Sequence, residues 1–331
     1  GLVTLDGGGA TRILGLHSSF ERLEPRMTAE RLTFANGHTT DVPHTGSTDN
    51  GGAAIYRLGG SLDVIDCVFT GNVGPENGQD VAGGAVYSIG VGTTTIVGST
   101  FRDNRCSSGG AIGNLHNPLL LVNSVVDSNA ATGTGGNPGD GGNGGGIYMD
   151  GVGNELTICG CRVAGNTGNA FGGGVFRVSN AERPATDIDL STFENNELLP
   201  DDFGLGGGLY LQGNAITIDA TTISGNRANG AGGLFIGPNS SVDLTNVTMD
   251  GNTAKSGLGG GLFTGDETTG MLLNCTLTRN AAHGDVAFAG AIAGGGGMTM
   301  RNTVVAYSVA GNGWNPISCT RTLTDGGGNF Q

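Results

Sequence analysis

Residues 206–226, GGGLYLQGNAITIDATTISGN, and residues 232–252, GGLFIGPNSSVDLTNVTMDGN, follow one plan. A glycine pair leads to an aliphatic and an aromatic residue; after a turn comes an alternating strand, then an apolar residue three places before an asparagine. Outward from this pair, the plan recurs in GGAAIY…CVFTGN, GGAVYS…STFRDN, GGAIGN…SVVDSN, GGGIYM…CRVAGN, GGGVFR…STFENN and GGGLFT…CTLTRN. The eight asparagines are Asn72, Asn104, Asn129, Asn166, Asn196, Asn226, Asn252 and Asn280, and they recur every 25 to 37 residues. A fixed unit repeated at that period marks a solenoid.

Counting back from each asparagine gives columns. Three places before stand Phe69, Phe101, Val126, Val163, Phe193, Ile223, Met249 and Leu277; eight before stand Val64, Ile96, Leu121, Ile158, Ile188, Ile218, Leu244 and Leu272. Five before stand the small residues Cys67, Ser99, Ser124, Cys161, Ser191, Thr221, Val247 and Cys275, the cysteines reading as buried small hydrophobes. Like residues at fixed places, with polar ones between, suit stacked strands and not a helical period. The spacing predicts an all-β, single-stranded right-handed parallel β-helix of about ten coils, a rod roughly 50 Å long at about 4.8 Å per coil. Residues 1–50 read as degenerate first coils, 51–282 as eight regular repeats, and 283–331 as a terminal coil with an extension, all in one domain. The asparagines read as an internal amide ladder.

Composition agrees. The 67 glycines among 331 residues supply frequent turns, while 37% hydrophobic residues still allow a core. Twenty-nine acidic residues against 15 basic ones, with Lys255 the only lysine, disfavour nucleic acid and anionic membrane as partners. No stretch has the length of a membrane span, and no signal-peptide pattern is present, so an export signal is expected upstream.

The GGA or GGG plus aliphatic, paired with FTGN, FRDN, FENN and looser versions, resembles the repeat of chlamydial polymorphic outer-membrane proteins. It is also similar to bacterial choice-of-anchor surface β-helix proteins, above all in the opening LDGGGATRIL and the ending NTVVAYSVAGNGWNPISCTRTLTDGGGNF. The resemblance implies an extracellular or cell-surface, secreted protein, an adhesin or structural rod, and carries over no catalytic residue. No capping helix precedes Gly1, so the first coil calls for a cover. A second copy of the chain could provide it, by end-to-end or lateral assembly into filaments; surface carbohydrate or protein is the other partner class.

Three features are candidate sites. Tyr56, Tyr87, Tyr148, Phe176, Tyr210, Phe235 and Phe263 follow the aliphatic column. With that column inward they form an exposed stripe able to stack on sugar rings or a neighbouring rod; with the parity reversed they form an internal stack. Asp187, Asp189, Asp219 and Asp243 sit on successive coils, with Asp189 and Asp219 in one column. They suit a solvated acidic patch, a Ca²⁺ ion, or the acid–base pair of a carbohydrate-active enzyme, a polysaccharide lyase or glycoside hydrolase. No other cofactor is expected. Arg57 and Arg177 lie four coils apart, and His17, His38, His44, His116 and His283 share no column, so these aspartates gain no basic partner and a non-catalytic role ranks first. Finally, long loops after Asn72, Asn129, Asn196 and Asn280 leave one edge of the rod with Glu76, Asp80, Asp140, Glu197, Asp201, Asp202 and Asp285, where recognition tends to sit.

Overall fold

The computed structural model describes residues 3–41, 48, 50–136, 139–180, 185–213, 215–285, 287–315 and 317–331. His44 lies outside them. The chain winds as a right-handed parallel β-helix with four ladders of strands. In a representative coil, Leu209–Gln212 belongs to sheet 1, Ala215–Asp219 to sheet 2, Thr222–Ser224 to sheet 3 and Arg227–Ala228 to sheet 4. Among the described residues sheets 1 to 4 hold ten, eleven, eleven and eight strands, each pairing in parallel with its counterpart one coil on. Sheets 2 and 3 reach eleven because Val3–Asp6 opens sheet 3 and Thr324–Asp325 closes sheet 2, one more coil than the repeat count suggests. Among the described residues no helix is long and apolar enough to cross a membrane.

The glycine pair has two separate causes. Gly206 takes φ 78°, a left-handed conformation that costs a side chain, while a Cβ on Gly207 would stand 2.4 Å from the Gly232 carbonyl of the next coil. The corner from sheet 2 to sheet 3 is also left-handed: Asp66, Gly98, Asn123, Gly160, Leu190, Ala220, Asn246 and Asn274 all have positive φ there. Asparagine, aspartate and glycine tolerate that region; leucine and alanine do so at a cost.

Stacked aliphatics fill the lumen. Ile55, Val86, Ile112, Ile147, Val175, Leu209, Leu234 and Leu262 from sheet 1 meet the sheet 2 and sheet 3 columns in one continuous core. Phe34, Phe69 and Phe101 stack with centroids 4.8 and 4.5 Å apart and planes within 6°. Each fully buried side chain of this kind contributes on the order of 1.5–3 kcal/mol.

Two polar ladders run beside the core. From Asn104 to Asn280, each asparagine's Oδ1 accepts from both the backbone N–H and the side-chain amide of the asparagine one coil earlier, and Asn72 Oδ1 accepts from Gly37 N. Each Nδ2 also donates to the carbonyl of the sheet 3 core residue one coil back, as Asn104 does to Phe69 and Asn226 to Phe193. The second ladder runs through the small column, where Cys67, Cys161 and Cys275 are buried in the core as expected and the column also carries hydrogen bonds. Ser99, Ser124, Ser191 and Thr221 donate their hydroxyls to the carbonyl two residues earlier, and the Cys67, Cys161 and Cys275 thiols approach theirs at 3.2–3.4 Å. Such ladders satisfy the backbone at a sharp corner that no strand partner can reach.

Arg57 and Arg177 are buried in the corner between sheets 1 and 2. Arg57 donates to the carbonyls of Gly60, Ile89, Gly90 and Val91, and Arg177 to those of Asn154 and Gln212. Burial lowers both guanidinium pKa values to about 10. Their role is to bind carbonyls where the lumen changes direction.

Candidate functional site: a roofed cleft on sheet 1

Strand alternation sends the residue after each lumen aliphatic to the outer face of sheet 1. Tyr56, Tyr87, Tyr148, Phe176 and Phe235 are nevertheless buried, and Tyr210 and Phe263 half-buried, so the column is neither an open stripe nor a stack inside the lumen. The reason is a roof. Phe171 packs 5.1 Å from Tyr210, and Phe203 lies 5.0 Å from Phe171. Beneath it, Tyr148–Phe176, Phe176–Tyr210 and Tyr210–Phe235 stack at 5.5, 5.1 and 4.7 Å, so the ring faces are largely covered by one another.

The column has one gap, and the gap builds the site. At Gly113 a Cβ would stand 2.6 Å from the Ala82 Cβ and 2.8 Å from the Tyr87 ring. The loop after Asn72 drops into this space, burying Ala82 beside the rings and delivering Asp80 between Tyr87 and Tyr148. Tyr87 Oη donates to the Asp80 carbonyl at 2.6 Å. Tyr148 Oη lies 3.2 Å from both Asp80 Oδ1 and Asp150 Oδ2. Asp150 also accepts from its neighbour's amide, Gly151 N, at 2.6 Å and from Asn180 Nδ2 at 3.0 Å.

A phenol has one proton to donate, so it can donate to only one of the two carboxyls at a time. Burial pushes the Asp80 carboxyl above the usual carboxylate range, and the charge of Asp150 adds to this against the Tyr148 hydrogen bond. Burial, with the two aspartates, holds the Tyr148 phenol well above its ordinary range, so it stays protonated. The backbone N–H of Val152 donates to His116 Nδ1 at 3.0 Å, which leaves Nε2 as the N–H of the neutral ring.

Around this group opens a cleft of about 400 Å³. Gln79, Asp80, His116, Asp150, Asn180 and Gln212 supply its polar wall, and Leu115, Phe171, Phe176, Val178 and Tyr210 its apolar one. Among the described residues no lysine or arginine lines it. The lone Lys255 instead ties down the neighbouring loop, donating to Leu198 and Leu199 carbonyls and pairing with Glu197 and Asp201 at 3.1 and 3.2 Å.

The aspartates expected on sheet 2 do not converge. Asp189 and Asp219 do pair in register, but Thr217 stands between Asp187 and Asp243, and Asp219 Oδ1 is taken by Ala220 N and Asn246 Nδ2. Among the described residues no three His, Cys, Asp or Glu side chains gather within reach of one metal ion, these four aspartates included. Of the cleft's polar residues, Asp80 stood out as a loop acid; Asp150, Asn180, Gln79 and Gln212 did not. Asp150 left one trace: its outward column on sheet 1 reads Leu58, Ile89, Leu115 and then Asp150, a carboxylate among aliphatics.

Comparison with known proteins agrees with this architecture. A family model described as right handed beta helix region matches residues 174–313. The probable autotransporter YfaL of Escherichia coli (strain K12) is 30% identical over 136 residues, which is 39% of this chain and 10% of that protein. The chain thus spans a small fraction of the length of the curated relative it matches. No solved structure matches. On these grounds the chain is similar to right-handed β-helix proteins, with an autotransporter among its relatives.

Proposed function

We propose that this chain is a surface-exposed rod with a recognition role, an adhesin whose binding site is the cleft on sheet 1. One observation carries the reading. Polar side chains from five separate segments, Gln79 and Asp80, His116, Asp150, Asn180, and Gln212, converge beside an apolar wall on a solenoid whose other polar ladders are satisfied internally. A pocket with a few convergent polar groups and a perturbed carboxyl is the usual form of a ligand site. The acidic composition, the GGA/FxxN repeat of surface β-helix proteins and the autotransporter relative all support display outside the cell.

Two measurements test it. Protease treatment of intact cells producing the protein should remove it; protection would count against display. Labelled protein should bind a printed array of glycans and matrix proteins, and Phe171→Ala with Asn180→Ala should abolish that binding. Undiminished binding would move the site elsewhere.

A second reading, hydrolysis of a bound glycan, has one observation in its favour. Asp80 and Asp150 are a carboxyl pair on a single phenol, and a pair of carboxyls is the machinery of glycoside hydrolysis. Release of reducing ends from the bound glycan would establish it.

A further inference from the structure

We infer that a second site opens on sheet 1 two coils beyond the first cleft, and that it takes a saccharide: one sugar ring lies against Phe263 while its hydroxyls meet Asp266, Glu267 and Arg321.

The aromatic column runs in register from Tyr210 through Phe235 to Phe263, and Ala293 holds its next place. The order of the stack also breaks here. Tyr210 and Phe235 lie within 25° of parallel, whereas Phe263 stands at 90° to Phe235 with centroids 5.5 Å apart. A perpendicular contact takes up at most one ring face, and Ala293 supplies no second ring. Phe263, half-buried, lines a cleft of about 790 Å³, within the roughly 300–1,000 Å³ of small-molecule sites.

The walls come from one turn on two successive coils. Between Leu262–Thr264 and Thr269–Leu273 the turn carries Asp266 and Glu267, both exposed. Glu267 holds φ 59°, a left-handed backbone that costs a glutamate, and it sets a carboxylate at the cleft's rim. One coil on, between Ile292–Ala293 and Gly297–Arg301, the turn is all glycine. Gly294 and Gly295 take φ 77°, and their N–H groups donate to Thr320 Oγ1 at 2.8 Å and Thr264 Oγ1 at 2.7 Å. Gly296 differs. Its backbone lies outside the left-handed region, and among the described residues a Cβ there would meet Arg321 Cδ at 3.7 Å, an ordinary contact. A side chain at 296 therefore fits the fold and takes up space in the cleft that Gly296 and Arg321 both line.

The chemistry suits a sugar. The C–H face of a pyranose packs against an aromatic ring, carboxylate oxygens accept from hydroxyl groups, and a guanidinium donates to hydroxyl oxygens. An aromatic side chain of a partner protein would fill the same ring-sized space but would take water from Asp266, Glu267 and Arg321 without returning hydrogen bonds.

Titration calorimetry of the full chain with malto-, cello- and galacto-oligosaccharides, oligogalacturonate and chitosan oligomers is the test. At least one series should bind in a mode that Gly296→Val weakens about tenfold or more and Arg321→Ala about threefold or more, as a blocked ring site and a lost hydrogen bond imply. Asn180→Ala in the first cleft should leave that mode unchanged. Matching melting curves confirm that each variant folds, and Arg321, being exposed, keeps the test alive should Gly296→Val not fold. Saccharide binding that Asn180→Ala abolishes and the two variants at 296 and 321 spare assigns the sugar to the first cleft and overturns this inference alone. Absence of saccharide binding also overturns it, and the array result with Phe171→Ala and Asn180→Ala then decides the first cleft separately. Competition for the site by a phenylalanine-rich peptide, with no saccharide bound, overturns it in favour of a protein partner.

Discussion

The side-chain oxygen of Asn252 accepts two hydrogen bonds from Asn226 one coil earlier, from the backbone N–H at 3.1 Å and from the amide at 3.0 Å. Asn226 does the same for Asn196 and sends its second amide proton to the Phe193 carbonyl. Asn226→Ala therefore strands two buried donors on Asn196 and an acceptor on Phe193. At about 1–3 kcal/mol for each unsatisfied group, the loss should reach about 3–5 kcal/mol. Guanidinium unfolding of the variant should show a midpoint lowered accordingly.

Leu190 is 63% exposed at φ 49°, in a column that other coils fill with Gly98, Asn123, Gly160, Asn246 and Asn274. Its side chain adds no core packing to offset the left-handed backbone. Leu190→Gly should raise stability by about 1 kcal/mol, and Leu190→Asn by somewhat less, read as an upward shift in Tm.

Asp80 titrates above the usual carboxylate range in the folded chain. A carboxyl whose folded pKa is raised opposes folding once it ionises, so the penalty grows as pH rises through that range and vanishes below the ordinary aspartate pKa. Asp80→Asn keeps an acceptor for Tyr148 and removes the charge. Its Tm should exceed that of the wild type at pH 7, with the difference closing toward pH 3. A constant difference across that range would assign the effect to packing instead.

Burial pushes the Cys161 thiol up to about 11, so at neutral pH it remains a donor to the Cys159 carbonyl at 3.2 Å and an acceptor from Ser124 N at 3.4 Å. Ser99 and Ser124 do the same work with hydroxyls on nearby coils. Cys161→Ser should therefore cost less than about 1 kcal/mol, whereas Cys161→Ala, which leaves the Ser124 N–H without a partner, should cost about 1–3 kcal/mol. Chemical denaturation separates the two.

The β-helix was legible because every coil repeats the same physical problem. A parallel ladder in exact register demands like residues at like places, so the lumen columns, the asparagine ladder and the glycine pair each appear eight times over in the chain itself. The cleft appears once. It depends on Gly113 interrupting an aromatic column, on a loop filling that space with Asp80, and on Asp150, 70 residues further on, meeting it across Tyr148. The same loops decide whether the aromatic column is open or roofed. Strand alternation determined only that those rings lie on the face opposite the aliphatic column, a local property of the backbone; which face meets the lumen was settled by the fold. What covers them is long-range packing of irregular segments, which no periodicity encodes and only the tertiary structure decided.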